Sequence, residues 1–318
     1  MCRSLLICLA LCLLPLMAPA QAQQVRVGMY LMNLYDLNMD EHSFYADFYI
    51  WFKWKGPIDP TNFEFVNSIE KWSTMSAMAG DSSNLLLSDG TNYRIYRVEG
   101  RFFHSFLLGG FPLDQHSLDI QIESPEHAAD SLVYLPDTNS VSIRNTLHLV
   151  GWNILHSGIE SKLHDYGTNF GNPEENARQY SNLTYSITLA RPVSYFLLKM
   201  LLPLLVVMLV SIGALLLHPS QIDTRSSLPI GGLLTAVFLQ QTYSNALPDT
   251  GYMVLMDKIY LLCYIIISLV LLQVILSGNW LLRKKPPSEK KVILLERRLA
   301  LTYLLLYGAG VGVLCWIG

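Results

Sequence analysis

Residues 226–246 read SSLPIGGLLTAVFLQQTYSNA, a stretch of membrane length that is too polar for lipid. About 20 helical residues, rising about 1.5 Å each, cross a hydrocarbon core. Ser226, Ser227, Thr235, Gln240, Gln241, Thr242 and Asn245 would be costly against acyl chains, so this helix must face protein or water. It lies between two apolar runs, YFLLKMLLPLLVVMLVSIGALLL (195–217) and IYLLCYIIISLVLLQVILSGNWLL (259–282), and LALTYLLLYGAGVGVLCWI (299–317) follows. The pattern predicts four spans, at 195–217, 224–246, 256–282 and 294–317, with the second unlike the others.

Such a helix either packs its polar groups inside a bundle or lines a water-filled path. One helix cannot enclose a path, but a symmetric ring of chains can, with the apolar spans outside. Steps of three to four residues put Asp223, Ser227, Gly231, Leu234, Phe238, Gln241 and Asn245 on one face. In a ring, Asp223 becomes a circle of carboxylates favouring monovalent cations, and Ser227 a narrow hydroxyl ring. Leu234 and Phe238 become apolar rings able to close the path by dewetting. Asp223 also fits a helix N-cap. The neighbouring face, Ser226, Ile230, Leu233, Val237 and Gln240, stays open as well, because Pro229 leaves the register loose by a residue.

Working outward, the segment RKKPPSEKKVILLERR holds Arg283, Lys284, Lys285, Lys290, Lys291, Arg297 and Arg298, which makes it cytoplasmic. Four spans then put both termini outside. The N-terminus agrees: Arg3, an apolar run over 5–17 and Ala20-Gln21-Ala22 read as a signal peptide of residues 1–22. The expected location is an inner (plasma) membrane with the N-terminal half periplasmic. Cys2, Cys8 and Cys12 fall in the signal and Cys263 and Cys315 in apolar runs, so neither disulfides nor thiolate zinc sites are available to the exported half. A net charge of −3 without a basic stripe excludes a nucleic-acid partner. Residues 23–191 alternate with period two between Gly, Pro, Asn and Asp turns, which predicts an all-β immunoglobulin-like sandwich of about eight to ten strands ahead of an all-α four-helix unit over 192–318.

Several short motifs stand in a fixed order. They are Trp54 in FKWKG, FPLD at 111–114, GWNI at 151–154, Arg191 twelve residues before Pro203, and SNALPDTGYMVLMDKI at 244–259. With the polar second span, this order resembles the pentameric ligand-gated ion channels, the Cys-loop receptor superfamily, and particularly its prokaryotic members. The superfamily's paired cysteines fall at His104 and Leu118, so the chain resembles a Cys-less version.

The resemblance implies a homopentamer in a lipid bilayer, opened by an unknown small-molecule agonist bound between neighbouring sandwiches, with no cofactor. It puts a complementary-face aromatic at Tyr49 and a capping loop at 164–182 with Tyr166, Phe170 and Tyr180. The principal-face aromatic falls at Pro125, beside Glu126 and His127; with cage walls missing, no quaternary-amine ligand is implied. Coupling parts fall at the first hairpin (Asp36, Asp40, Glu41), at Phe111, Pro112 and Asp114, at Arg191 and at Pro248. Asp114 and Arg191 are expected to pair, either partly buried or as a surface bridge.

His104, His116, His127 and His164 read as scattered, without metal-ligand spacing, and His116 as the least informative residue of its motif. They leave open that pH modulates or triggers opening. No nucleophile-elbow, P-loop or dinucleotide motif supports an enzyme. The competing reading is a membrane-anchored β-sandwich sensor without conduction, but it has only a short cytoplasmic loop for output and no use for a polar span. A transporter would show inverted repeats.

Overall fold

The computed structural model describes residues 22–69, 74–77, 85–137, 142–171, 178–245, 247–281 and 288–317. The signal-peptide reading falls outside them apart from Ala22, as do Arg283, Lys284 and Lys285 of the basic loop.

Alternation along the chain becomes two sheets. One has the order β4-β6-β2-β1-β8 with β5 beside β6, where β1 is Gln23–Asn38, β2 Ser43–Trp54, β4 Thr74–Ala77, β5 Leu85–Leu86, β6 Asn92–Phe103 and β8 Leu132–Pro136. The other has the order β3-β7-β10-β9, with β3 Glu64–Phe65, β7 Gln115–Glu123, β9 Asn153–Asp165 and β10 Gln179–Ala190. On β2, Phe44, Ala46, Phe48, Ile50, Phe52 and Trp54 point inward and are buried. The intervening Tyr45, Tyr49, Trp51 and Lys53 stay partly open, as the two-residue pleat requires.

Aromatic rings fill the space between the sheets. Phe102 has its ring centroid 5.7 Å from Phe44, 6.0 Å from Phe48 and 5.4 Å from Phe65. Offset and edge-on contacts of this kind add to the burial of apolar area. Lacking any disulfide, the sandwich is held by this packing and by strand pairing.

Four long helices follow: α1 (Val193–Leu216), α2 (Ile222–Ser244), α3 (Leu255–Leu281) and α4 (Glu289–Ile317). By length and composition α1, α3 and α4 can cross a membrane. The expected order, an all-β sandwich and then helices, is the order observed. In α1 the turn over Phe196–Leu201 is widened to π geometry just ahead of Pro203, which relieves the clash between the proline ring and the preceding carbonyl.

α2 is two-sided. Arg225, Pro229, Gly232, Ala236 and Tyr243 are buried, and at about 100° per residue they form one stripe centred about 200° from Asp223. A methyl group on Gly232 would meet the Ser211 hydroxyl at 2.1 Å, so α1 and α2 touch backbone to side chain there. Pro229 sits inside the helix without ending it.

Phe102→Ala should lower stability by about 3–5 kcal/mol, because it opens a cavity among rings that cannot collapse into it. Chemical denaturation of the detergent-solubilised protein checks this.

Candidate functional site

The segment from Leu108 to His116 connects sandwich and helices. The Leu108 N–H donates to the Tyr252 hydroxyl (3.0 Å), and the Leu255 N–H to the Gly109 carbonyl (3.0 Å). The Phe111 ring stacks on Tyr243 near the end of α2 at 6.3 Å, and the Phe111–Pro112 peptide is cis. Tyr243 also stacks on Tyr260 of α3 (5.4 Å) and donates to Asp257. Asp257 in turn accepts from the Val254 N–H at 3.1 Å. The loop therefore touches α2 and the α2–α3 turn at once.

Arg191 occupies the centre of this junction. Its Nε donates to Asp114 Oδ1 (3.0 Å) and Oδ2 (3.3 Å), and an Nη reaches Met39 Sδ in the first hairpin at 3.5 Å. The guanidinium lies over Trp152 (4.2 Å) and Phe111 (4.9 Å). Asp114 is buried, with its side chain 2% exposed against 14% for Arg191. Of the two readings of this pair, the partly buried one is the geometry present. His116, set aside in the sequence, is the third member: its Nε2–H donates to Asp114 Oδ2 at 2.7 Å, and it is itself buried.

His104 lies 5.6 Å from His116, ring to ring, so these two histidines are neighbours rather than scattered. β6 ends beside β7 in space, which spacing along the chain could not reveal. Burial would push Asp114 up, but the His116 hydrogen bond and the Arg191 charge overcome it and hold the carboxyl below the usual range. Burial, with the nearby His116, lowers His104 to about 4.

The other expected coupling residues are placed as follows. Asp36 and Glu41 in the first hairpin both bond Arg101 of β6; Asp40 is exposed in the same turn. Pro248 lines the α2–α3 turn with Asp249 and Tyr252.

The expected pore face is the exposed one. Asp223, Ser227, Gly231, Leu234, Phe238 and Gln241 are all exposed in the single chain. Of the alternative face, Gln240 accepts from the Tyr264 hydroxyl and bonds Asp257 at 3.4 Å. Leu233 packs on the core. Ser226 is half-buried with them, while Ile230 and Val237 of that face are exposed, so it turns only partly into the bundle.

The expected ligand residues divide into three places. Tyr166 lies against Phe170 (5.2 Å) and Tyr180 (5.9 Å), and its hydroxyl donates to the buried Glu123 at 2.9 Å. Glu123 also accepts from Asn182 (2.8 Å) and His164. Glu126 accepts from Asn62 at 2.8 Å and, with His127, lines a cleft of about 650 Å³ shared with Arg94 and Tyr96. Tyr49 sits on the other sheet, 5.9 Å from the Arg97 guanidinium. The sequence reading missed Glu123, Trp152, His116 and Tyr243; period-two burial marked none of them as polar partners of one another.

No family model matches the chain. Among curated proteins it is similar to the pH-sensitive chloride channel 2 of Drosophila melanogaster, at 22% identity over 205 residues, 64% of this chain and 39% of that protein. It is also similar to the human gamma-aminobutyric acid receptor subunit gamma-1, 22% over 258 residues (69% and 54%). The gamma-4 subunit of Gallus gallus shares 23% over 182 residues (57% and 38%). These similarities support the Cys-loop receptor superfamily. The sandwich followed by helices, three of them able to span a membrane, matches the architecture of that superfamily. The chain spans between 38% and 54% of the length of these relatives, which are a channel and receptor subunits.

Asp114→Ala should cost about 3–5 kcal/mol, because it leaves the Arg191 charge unpaired; a loss below about 1 kcal/mol would mark a surface bridge instead. The pH dependence should have two parts. His104 has a folded value below its unfolded one, so stability is full above pH ~6.5 and falls as pH drops from there to about 4. The Asp114 contribution is present above the ordinary carboxylate value and is lost only below it. Melting temperature against pH should lose the upper slope in His104→Phe and keep the lower one.

Proposed function

We propose that this chain is one subunit of a ligand-gated ion channel, a Cys-less prokaryotic member of the Cys-loop receptor superfamily acting as a homopentamer. Its place is an inner membrane, with the sandwich on the periplasmic side. The observation that carries the reading is the two-sidedness of α2. Its buried stripe packs on its own bundle, while Asp223, Ser227, Gly231, Leu234, Phe238 and Gln241 are exposed, with no element among the described residues covering them. A ring of such helices encloses a path lined by that face.

Agonist binding to the sandwich opens the path only if the agonist prefers the open arrangement, and the junction transmits that preference. Arg191, Asp114, Phe111 and the α2–α3 turn at Pro248 carry it, with Asp36, Asp40 and Glu41 on the hairpin beside them. The ligand site lies where the Tyr166, Phe170 and Tyr180 cluster, with Glu126 and His127, meets Tyr49 of a neighbouring sandwich. Tyr49 lies on the opposite sheet of its own chain, so the neighbour supplies it. A small molecule or a pH change is the trigger. The His116–Asp114 contact at the junction supports proton modulation, as does the similarity to the pH-sensitive chloride channel 2 of Drosophila melanogaster.

Monovalent cations are the expected permeant ions. One relative is by name a chloride channel, but an exposed carboxylate at the narrow end of α2 favours cations wherever it stands in a ring. Currents from full-length protein in a bilayer test the reading, and Asp223→Asn should reduce the cation-to-anion permeability ratio. A reversal potential that does not move would remove Asp223 from the path.

A further inference from the structure

Arg225 stands two residues from Asp223, and a guanidinium in the path there would cancel the carboxylate. Two residues are about 200° of helix, which turns Arg225 inward. Its side chain is completely buried, as is that of Glu296 on α4. Each of the three guanidinium nitrogens has a partner. Nε donates to the Ala214 carbonyl at the end of α1 (3.0 Å), Nη1 to the Ser277 hydroxyl on α3 (3.4 Å), and Nη2 to Glu296 Oε1. Ser277 accepts because its own hydrogen goes to the Val274 carbonyl at 3.0 Å. α3 and α2 lie close enough here that a methyl on Gly278 would come within 2.9 Å of Ile222.

Among these partners only Glu296 carries charge. Carbonyl and hydroxyl dipoles solvate a cation partially, and in an apolar bundle an unpaired charge moves to water wherever its stem allows. On the pore reading of α2, water lies along the exposed face of the same helix turn, beside Asp223.

We infer that Glu296 is a determinant of ion charge selectivity. By neutralising Arg225 inside the bundle, it keeps that cation out of the path and leaves Asp223 as the net charge of the mouth. Glu296 never touches the permeating ion; it acts through the position of Arg225. The inference rests on α2 lining the path.

The test is the reversal potential of full-length channels under a salt gradient, with opening recorded separately. Glu296→Gln keeps the shape of the carboxyl group and removes its charge. It should lower the cation-to-anion permeability ratio several-fold, and Arg225→Gln combined with Glu296→Gln should return it to the wild-type value. A wild-type ratio in Glu296→Gln overturns the inference, as does a double variant that stays as low as the single. If Glu296→Gln does not assemble, Glu296→Asp, whose shorter side chain loosens the pair while keeping the charge, should lower the ratio partway, and a wild-type ratio there overturns the inference. A ratio well above wild type would mean that Arg225 already acts on the path with Glu296 in place, which overturns the inference too. Wild-type protein that passes no current is a different result, and it removes the channel reading itself.

Discussion

A charge withdrawn from water needs a partner built beside it, and both ends of the helical unit are organised around that constraint. At the sandwich end Arg191 is paired with Asp114 under the rings of Trp152 and Phe111. At the far end Arg225 is paired with Glu296 among four helices. Either cation left alone would be strongly unfavourable in so little water. The two pairs therefore fix which elements have to stay together.

At the sandwich end that requirement produces connection. One guanidinium reaches the first hairpin through Met39, the Leu108–His116 segment through Asp114 and Phe111, and the start of α1 through its own backbone. Phe111 then continues to Tyr243, and Tyr243 to Asp257 and Tyr260. A displacement of the sandwich cannot leave the end of α2 untouched, because packed rings and short hydrogen bonds do not stretch. His116 adds a second hydrogen bond to the same carboxylate, so one buried group ties β7 to the Arg191 junction.

Much of this was legible in advance. Period-two alternation identified the strands because a sheet with one wet face cannot hide its pattern. The polar character of residues 226–246 marked α2 as unlike the three apolar helices around it, because lipid offers no hydrogen bonds. Asp114 and Arg191 were paired through a resemblance in motif order, and the geometry agrees. The histidines were misjudged: His104 and His116 are twelve residues apart in the chain yet 5.6 Å apart between rings, since the loop after β6 carries the chain across to β7 of the facing sheet and the two rings meet between the sheets. The resemblance put the ligand candidates on two faces, and in the chain Tyr49 and Tyr180 stand on different sheets; sequence order alone carries no information about which sheet faces which.

By itself, the sequence determined the division into a wet β-half and a membrane-length helical half, and which helix had to avoid lipid. Those are properties of local periodicity and of transfer from water, and each residue contributes to them independently. Only the tertiary structure decided the partners: His116 for Asp114, Tyr243 for Phe111, Glu296 for Arg225. Arg225 and Glu296 are 71 residues apart, with most of α2, all of α3 and the first turns of α4 between them. Nothing in the composition of either segment announces the other, because a buried ion pair is specified by how helices cross, and that is set by packing over their whole length.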